Sequence, residues 1–192
     1  MVTMAIAACD TAGSRAEPAG SLPPAQEAFW SALSALCGTA YEGSVVESTP
    51  PDTVMSRERL VMHVRECAGD TLRIPFHVGA NRSRTWVVTR TAAGLRLKHD
   101  HRHEDGSADS VTQYGGDTRT AGDSTQQEFF ADSLTASLIP AAQTNIWTLG
   151  LEPGRRFVYA LRREGSDRRF RAEFDLTRPV PAPPAPWGSS PR

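Results

Sequence analysis

The sequence predicts a mainly β fold, a single antiparallel up-and-down β-barrel of about ten strands with an N-terminal helix and one short inserted helix. Three observations predict it. Beyond Gly38 the apolar residues recur at every second position, as in half-buried strands. The segments are separated by short turns such as Ala68-Gly69-Asp70, Gly79-Ala80-Asn81, Asp105-Gly106-Ser107, Pro153-Gly154 and Gly165-Ser166-Asp167. Finally, the strands are one-sided: Phe170, Ala172, Phe174 and Leu176 oppose Arg169, Arg171, Glu173 and Asp175. Such strands need a shared interior, and closing the sheet also removes its edges.

The elements follow in order. Residues 1–23 read as a leader and flexible Gly/Ser/Pro tether. Residues 24–178 form the barrel domain. It opens with a helix: Pro24 suits a first turn, Phe29, Trp30, Leu33, Leu36 and Cys37 share one face, and Gly38 stops it. Strands are expected over residues 41–47, 59–67, 71–78, 84–91, 95–103, 109–114, 125–130, 146–151, 155–163 and 168–177. The inserted helix follows Asp132 and ends at Pro140. The loop from Gly115 to Asp123 reads as a flexible lid or a plain loop, and residues 179–192 as a Pro-rich disordered tail from which Trp187 can pack back.

Composition excludes some classes. A net charge of −1 gives no basic field for nucleic acid. No apolar run is long enough to span a bilayer as a helix. The nucleophile elbow, phosphate loop, dinucleotide fingerprint and His-Glu-x-x-His helix are all missing from the sequence. The oligomeric state is left open, with a monomer favoured.

The candidate site is the run from Gly94 to Gly106. Leu95, Leu97, His99, His101 and His103 lie on one face; Arg96, Lys98, Asp100, Arg102 and Glu104 lie on the other. On the preceding strand Arg84, Trp86 and Val88 share the inward phase, which puts Trp86 near Leu97 or His99. On the following strand either Val111 and Gln113 or Thr112 and Tyr114 face in. A pocket lined by His99, His101, Arg84, Trp86 and Gln113 or Tyr114 would hold a small anionic or hydrogen-bonding ligand. Two other readings compete. His99 and His101 could bind zinc or another divalent metal, with His103 as third ligand, and support a hydrolase; otherwise no cofactor is expected. Or the polar strand end is structural. His63 and His77 face outward and read as ordinary exposed histidines. The arginines Arg162, Arg163, Arg168, Arg169 and Arg171 read as the outer face of the last hairpin, solvated or facing anionic lipid.

Two short resemblances add to this. Ile6-Ala7-Ala8-Cys9 resembles a bacterial lipobox, although residues 1–6 are short for a signal segment and carry no Lys or Arg. A start upstream of Met1 would account for both departures. The resemblance implies an envelope lipoprotein facing the periplasm, anchored to the membrane through lipid on Cys9; Asp10 would favour inner-membrane retention. Without it the protein would be cytoplasmic. With Cys9 lipidated, Cys37 and Cys67 remain as a pair that can form a disulfide in an oxidising compartment. Gly38-Thr39-Ala40-Tyr41-Glu42-Gly43 resembles the Gly-x-Trp opening of lipocalins and other calycin barrels, with Tyr41 in the tryptophan position. That resemblance implies architecture only. Haem-binding members use a late histidine, and this chain has none after His103.

Overall fold

The computed structural model describes residues 21–189. The first element is α1 (Pro24–Ser34), and it is followed by β1 (Ala40–Thr49), β2 (Leu60–His63), β3 (Glu66–Ala68), β4 (Thr71–Val78), β5 (Asn81–Thr91) and β6 (Gly94–His101). Then come β7 (Tyr114–Asp117), β8 (Gln126–Ala131), α2 (Ser133–Leu138), β9 (Asn145–Glu152), β10 (Arg156–Arg163) and β11 (Arg169–Val180). Every pairing is antiparallel, and each strand sits beside its neighbours in sequence, with β11 returning to β1. β2 and β3 share one barrel position, both pairing with β4, so the eleven strands among the described residues close a ten-position up-and-down barrel. This is the architecture that the alternation predicts.

The predicted strand over residues 59–67 breaks at Val64 and Arg65 for a visible reason. Val64 exchanges hydrogen bonds with the linker after α1: Gly38 N–H donates to the Val64 carbonyl at 2.7 Å, and Val64 N–H to the Thr39 carbonyl at 3.0 Å. Arg65 N–H turns instead to the Arg73 carbonyl at 3.1 Å. A Cys37–Cys67 disulfide, with Cα atoms 6.3 Å apart, fastens this linker to β3.

The barrel interior is filled by alternate residues, among them Leu60, Met62, Leu72, Ile74, Val88, Leu95, Leu97, Phe157, Ala172 and Phe174. Fully burying each large apolar side chain contributes roughly 1.5–3 kcal/mol before chain entropy is subtracted. α1 closes one end. Its Phe29 and Leu33 enter the core, while Gln26 Nε2 donates to Thr118 Oγ1 and the Thr120 carbonyl, both at 3.0 Å. Arg90 pairs with Glu27 at 3.1 Å and lies over the Trp30 ring, fixing the helix to the β5–β6 end of the barrel.

Three expectations are corrected. The sixth strand is not residues 109–114. β6 stops at His101, residues 103–107 turn back through the His103–Ser107 and Gly106–His103 backbone bonds, the return touches β6 at an isolated Arg102–Ala108 bridge and an Asp109 N–H to His101 carbonyl bond, and a strand resumes at Tyr114. Gly115 and Gly116, read as the start of a lid loop, are therefore strand residues. A Cβ on Gly115 would collide with the Leu97 carbonyl oxygen, and one on Gly116 with the Phe130 carbonyl oxygen. Glycine is used here so that three backbones can pack closely.

The tail is the third correction. β11 continues to Val180, and the following segment lies along the outside of the barrel rather than being disordered. Trp187 N–H donates to the Arg82 carbonyl at 3.2 Å, Arg82 Nη1 donates to the Ala185 carbonyl at 3.1 Å, and Gly188 packs on Gly106. The segment 181–189 borders the outer side chains of β2 and β4, so His63 and His77 face outward as expected but are buried.

Candidate functional site

The barrel end opposite α1 holds a cavity of about 250 Å³, room for roughly eight waters at liquid density. β5 and β6 build one wall. Their register sets Arg84 opposite His101 and Trp86 opposite His99, as the alternation implied. Tyr114, from the first residue of β7, pairs with His99 on the other side. β9 and β10 supply Trp147 and Tyr159 across the interior. Asp52 and Met55, with Ile139 and Ala142, border the opening.

The walls are aromatic. Trp86 is stacked between Phe76 and Tyr159, with ring centroids 4.7 and 4.5 Å away. His99 stacks on Tyr114 at 4.5 Å. Such offset stacks fix ring positions in addition to burying area.

Hydrogen bonding determines the state of His99. Its Nδ1 lies 3.1 Å from the Tyr114 carbonyl, which can only accept, so the proton is on Nδ1. Nε2 then accepts from the Tyr159 hydroxyl at 2.9 Å. Burial lowers the His99 pKa to about 3, with His101 and Lys98 adding to the fall against the Tyr114 carbonyl bond. His101 is also lowered, first by burial and then by the Arg84 charge. Its Nε2 shares a 3.1 Å hydrogen bond with the Tyr114 hydroxyl, whose own pKa is raised to about 12 by burial. Burial likewise raises Tyr159 well above the usual tyrosine range. The site is thus a neutral Tyr–His–Tyr network at neutral pH, and both imidazoles are weak bases there.

Of the residues singled out from sequence, His99, His101, Arg84, Trp86 and Tyr114 converge on the cavity. The open choice on the next segment falls to Thr112 and Tyr114; Thr112 Oγ1 accepts from the His101 backbone N–H at 2.8 Å. Gln113 is not part of the lining. It holds a positive φ of 61° and donates its N–H to the His99 carbonyl at 2.6 Å. His103 is exposed in the turn after β6 and does not join the pair. Among the described residues no three His, Cys, Asp or Glu side chains gather around a possible metal position. Asp100 points outward, as expected, but is buried. Burial would raise its pKa, yet hydrogen bonds from Arg73 and Arg102 prevail and hold it low.

Sequence reasoning missed Trp147, Tyr159, Asn145, Arg163 and Arg168 as lining residues. For the two arginines the signal was present. Arg163 continues the phase of Phe157, Tyr159 and Leu161, and Arg168 that of Phe170. Their charge placed them on the outer face, but at the barrel mouth an inward phase does not require an apolar residue. Arg162 and Arg171 do face out, pairing with Glu128 and Glu173.

No family model, curated protein or solved structure matches this chain. The site's chemistry therefore rests on its own residues. Several grooves larger than the cavity lie on the outer surface, among them two of about 790 Å³, one beneath the tail and one across β1 and β11. Neither has the aromatic walls and converging polar groups of the interior cavity.

Proposed function

We propose that this protein is a bacterial envelope lipoprotein whose barrel binds a small ligand in its interior cavity without acting on it chemically. The observation that carries the reading is the cavity itself. Trp86, Trp147, Tyr114, Tyr159 and Phe170 surround it with apolar surface, while His101, Asn145 and Arg84 offer polar contacts that fix orientation. Two imidazoles held neutral by burial and engaged with tyrosine hydroxyls suit a binding site better than a proton-transfer site.

The Cys37–Cys67 disulfide supports an oxidising compartment, which agrees with the envelope reading. Cys9, the residue that would carry lipid, lies outside the described residues. Substituting Cys9→Ala in the full precursor should release the protein from the membrane fraction; unchanged membrane association would remove the lipid anchor from the account.

The binding reading is tested against its metal alternative by plasma mass spectrometry on the wild type and a His99→Ala/His101→Ala variant, after incubation with zinc. The binding reading predicts no difference between them. Stoichiometric metal in the wild type, lost in the variant, would replace it with a metal site.

A further inference from the structure

Three guanidiniums line the cavity, and among the described residues none has a carboxylate partner. Arg84 Nη1 donates to Asn81 Oδ1 at 3.2 Å and Ser83 Oγ at 3.4 Å; Arg163 Nε donates to Asn145 Oδ1 at 2.8 Å; Arg168 Nη1 donates to the Thr49 carbonyl at 3.3 Å. All three are half-buried. Most other arginines of the barrel pair with acids, among them Arg59, Arg73, Arg90, Arg96, Arg156, Arg162 and Arg171. Among the described residues Arg57, Arg82, Arg119 and Arg169 also lack an acid, but Arg84, Arg163 and Arg168 are the three that line one cavity.

The fold holds them there. Arg163 and Arg168 flank the β10–β11 turn, joined by the Arg163 N–H to Arg168 carbonyl bond at 3.2 Å, and Arg84 stands beside His101 on the facing wall. The lining contains one acid, Asp52, whose Oδ1 already accepts from the Val54 and Met55 amides at 3.1 and 2.9 Å. Three guanidiniums against the single Asp52 carboxylate leave the mouth with an excess of positive charge above an aromatic interior. A half-buried, unpaired cation is costly unless an anion meets it.

We propose that the ligand is a small planar aromatic oxyanion. Its ring lies among Trp86, Trp147 and Tyr159, and its carboxylate, sulfonate or phosphate group is met by Arg84, Arg163 and Arg168. This rests on the binding reading above and adds the ligand's chemical class. The guanidinium fork donates paired N–H groups to two oxygens of a carboxylate, sulfonate or phosphate, and the ring walls favour a flat partner.

The test is calorimetric titration of the full chain with naphthoate and benzoate, and with their uncharged amides, at low salt. The variants are Arg84→Gln and Arg168→Gln, with Arg162→Gln as an outer-face control; unfolding midpoints confirm that each is folded. The expected result is naphthoate or benzoate binding at least roughly tenfold tighter than its amide, with that preference lost in Arg84→Gln or Arg168→Gln and kept in Arg162→Gln. Acid and amide binding equally would overturn the oxyanion proposal while leaving the binding barrel standing. A preference untouched by both mouth variants would also overturn it. Binding of none of the four compounds would count against the cavity reading itself, and the proposal would fall with it.

Discussion

The Tyr159 hydroxyl donates to His99 Nε2 at 2.9 Å, linking β10 to β6 across the inside of the barrel. His99 is almost fully buried, so this bond and the Tyr114 carbonyl bond together satisfy both ring nitrogens away from water. Tyr159→Phe keeps the ring and its stack on Trp86 but removes the donor. The expected cost is about 1–3 kcal/mol, for a buried acceptor left without a partner. Urea unfolding of wild type and variant measures it; an unchanged midpoint would mean that the bond contributes nothing to stability.

Stability should fall on mild acidification. His99 and His77 have folded-state pKa values of about 3 and about 4, against 6.5 when unperturbed. Burial is the main cause for both, and Arg82, His63 and Arg65 also press on His77. Below 6.5 the unfolded chain takes up protons that the folded chain refuses. The stabilisation is therefore complete above that pH and is lost as the pH falls towards the folded values, at up to ~1.4 kcal/mol per unit for each histidine. Urea midpoints compared at about pH 7.5 and about pH 5 isolate this effect, since carboxylates remain ionised over most of that range. Equal midpoints would contradict it.

The disulfide spans a sequence separation of 30 and joins the segment after α1 to β3. By restricting the unfolded chain, a loop of that size contributes about 3–4 kcal/mol. A Cys37→Ser/Cys67→Ser variant should unfold at correspondingly lower urea concentration. A loss below about 1 kcal/mol would show that the α1–β1 linker is held by other contacts.

The tail should act as part of the barrel wall. Val61, His63 and His77, on the outer side of the sheet, have only 3%, 7% and 3% of their surface exposed. Ending the chain after Val180 removes the cover, so the His77 pKa should rise towards the usual histidine range, because burial is its largest perturbation. NMR titration of the His77 ring reads this directly, and an unmoved pKa would show that the tail does not bury it.

How much of this was legible in the sequence differs from element to element. The one-sided strands were plain, because period-two alternation reports which face meets the core, and it placed His99, His101, Arg84 and Trp86 together. Tyr114 was only half legible, since the turn after β6 hides the phase of the next strand. Gly115 and Gly116 carry no pattern at all; their strand is set by the approach of the Leu97 and Phe130 backbones. Arg163 and Arg168 obeyed the inward phase but were assigned by charge. The tail docks on Arg82 and Gly106, which precede Trp187 and Gly188 by 105 and 82 residues, and contacts so distant leave no periodic trace.

The most direct test of the account is a two-dimensional NMR titration with naphthoate that follows the indole N–H signals of Trp30, Trp86, Trp147 and Trp187. Binding in the cavity predicts that Trp86 and Trp147 shift together and saturate, while Trp30 beside α1 and Trp187 in the tail stay in place. Shifts confined to Trp187, or to Trp30, would place the ligand outside the barrel interior and contradict the central claim.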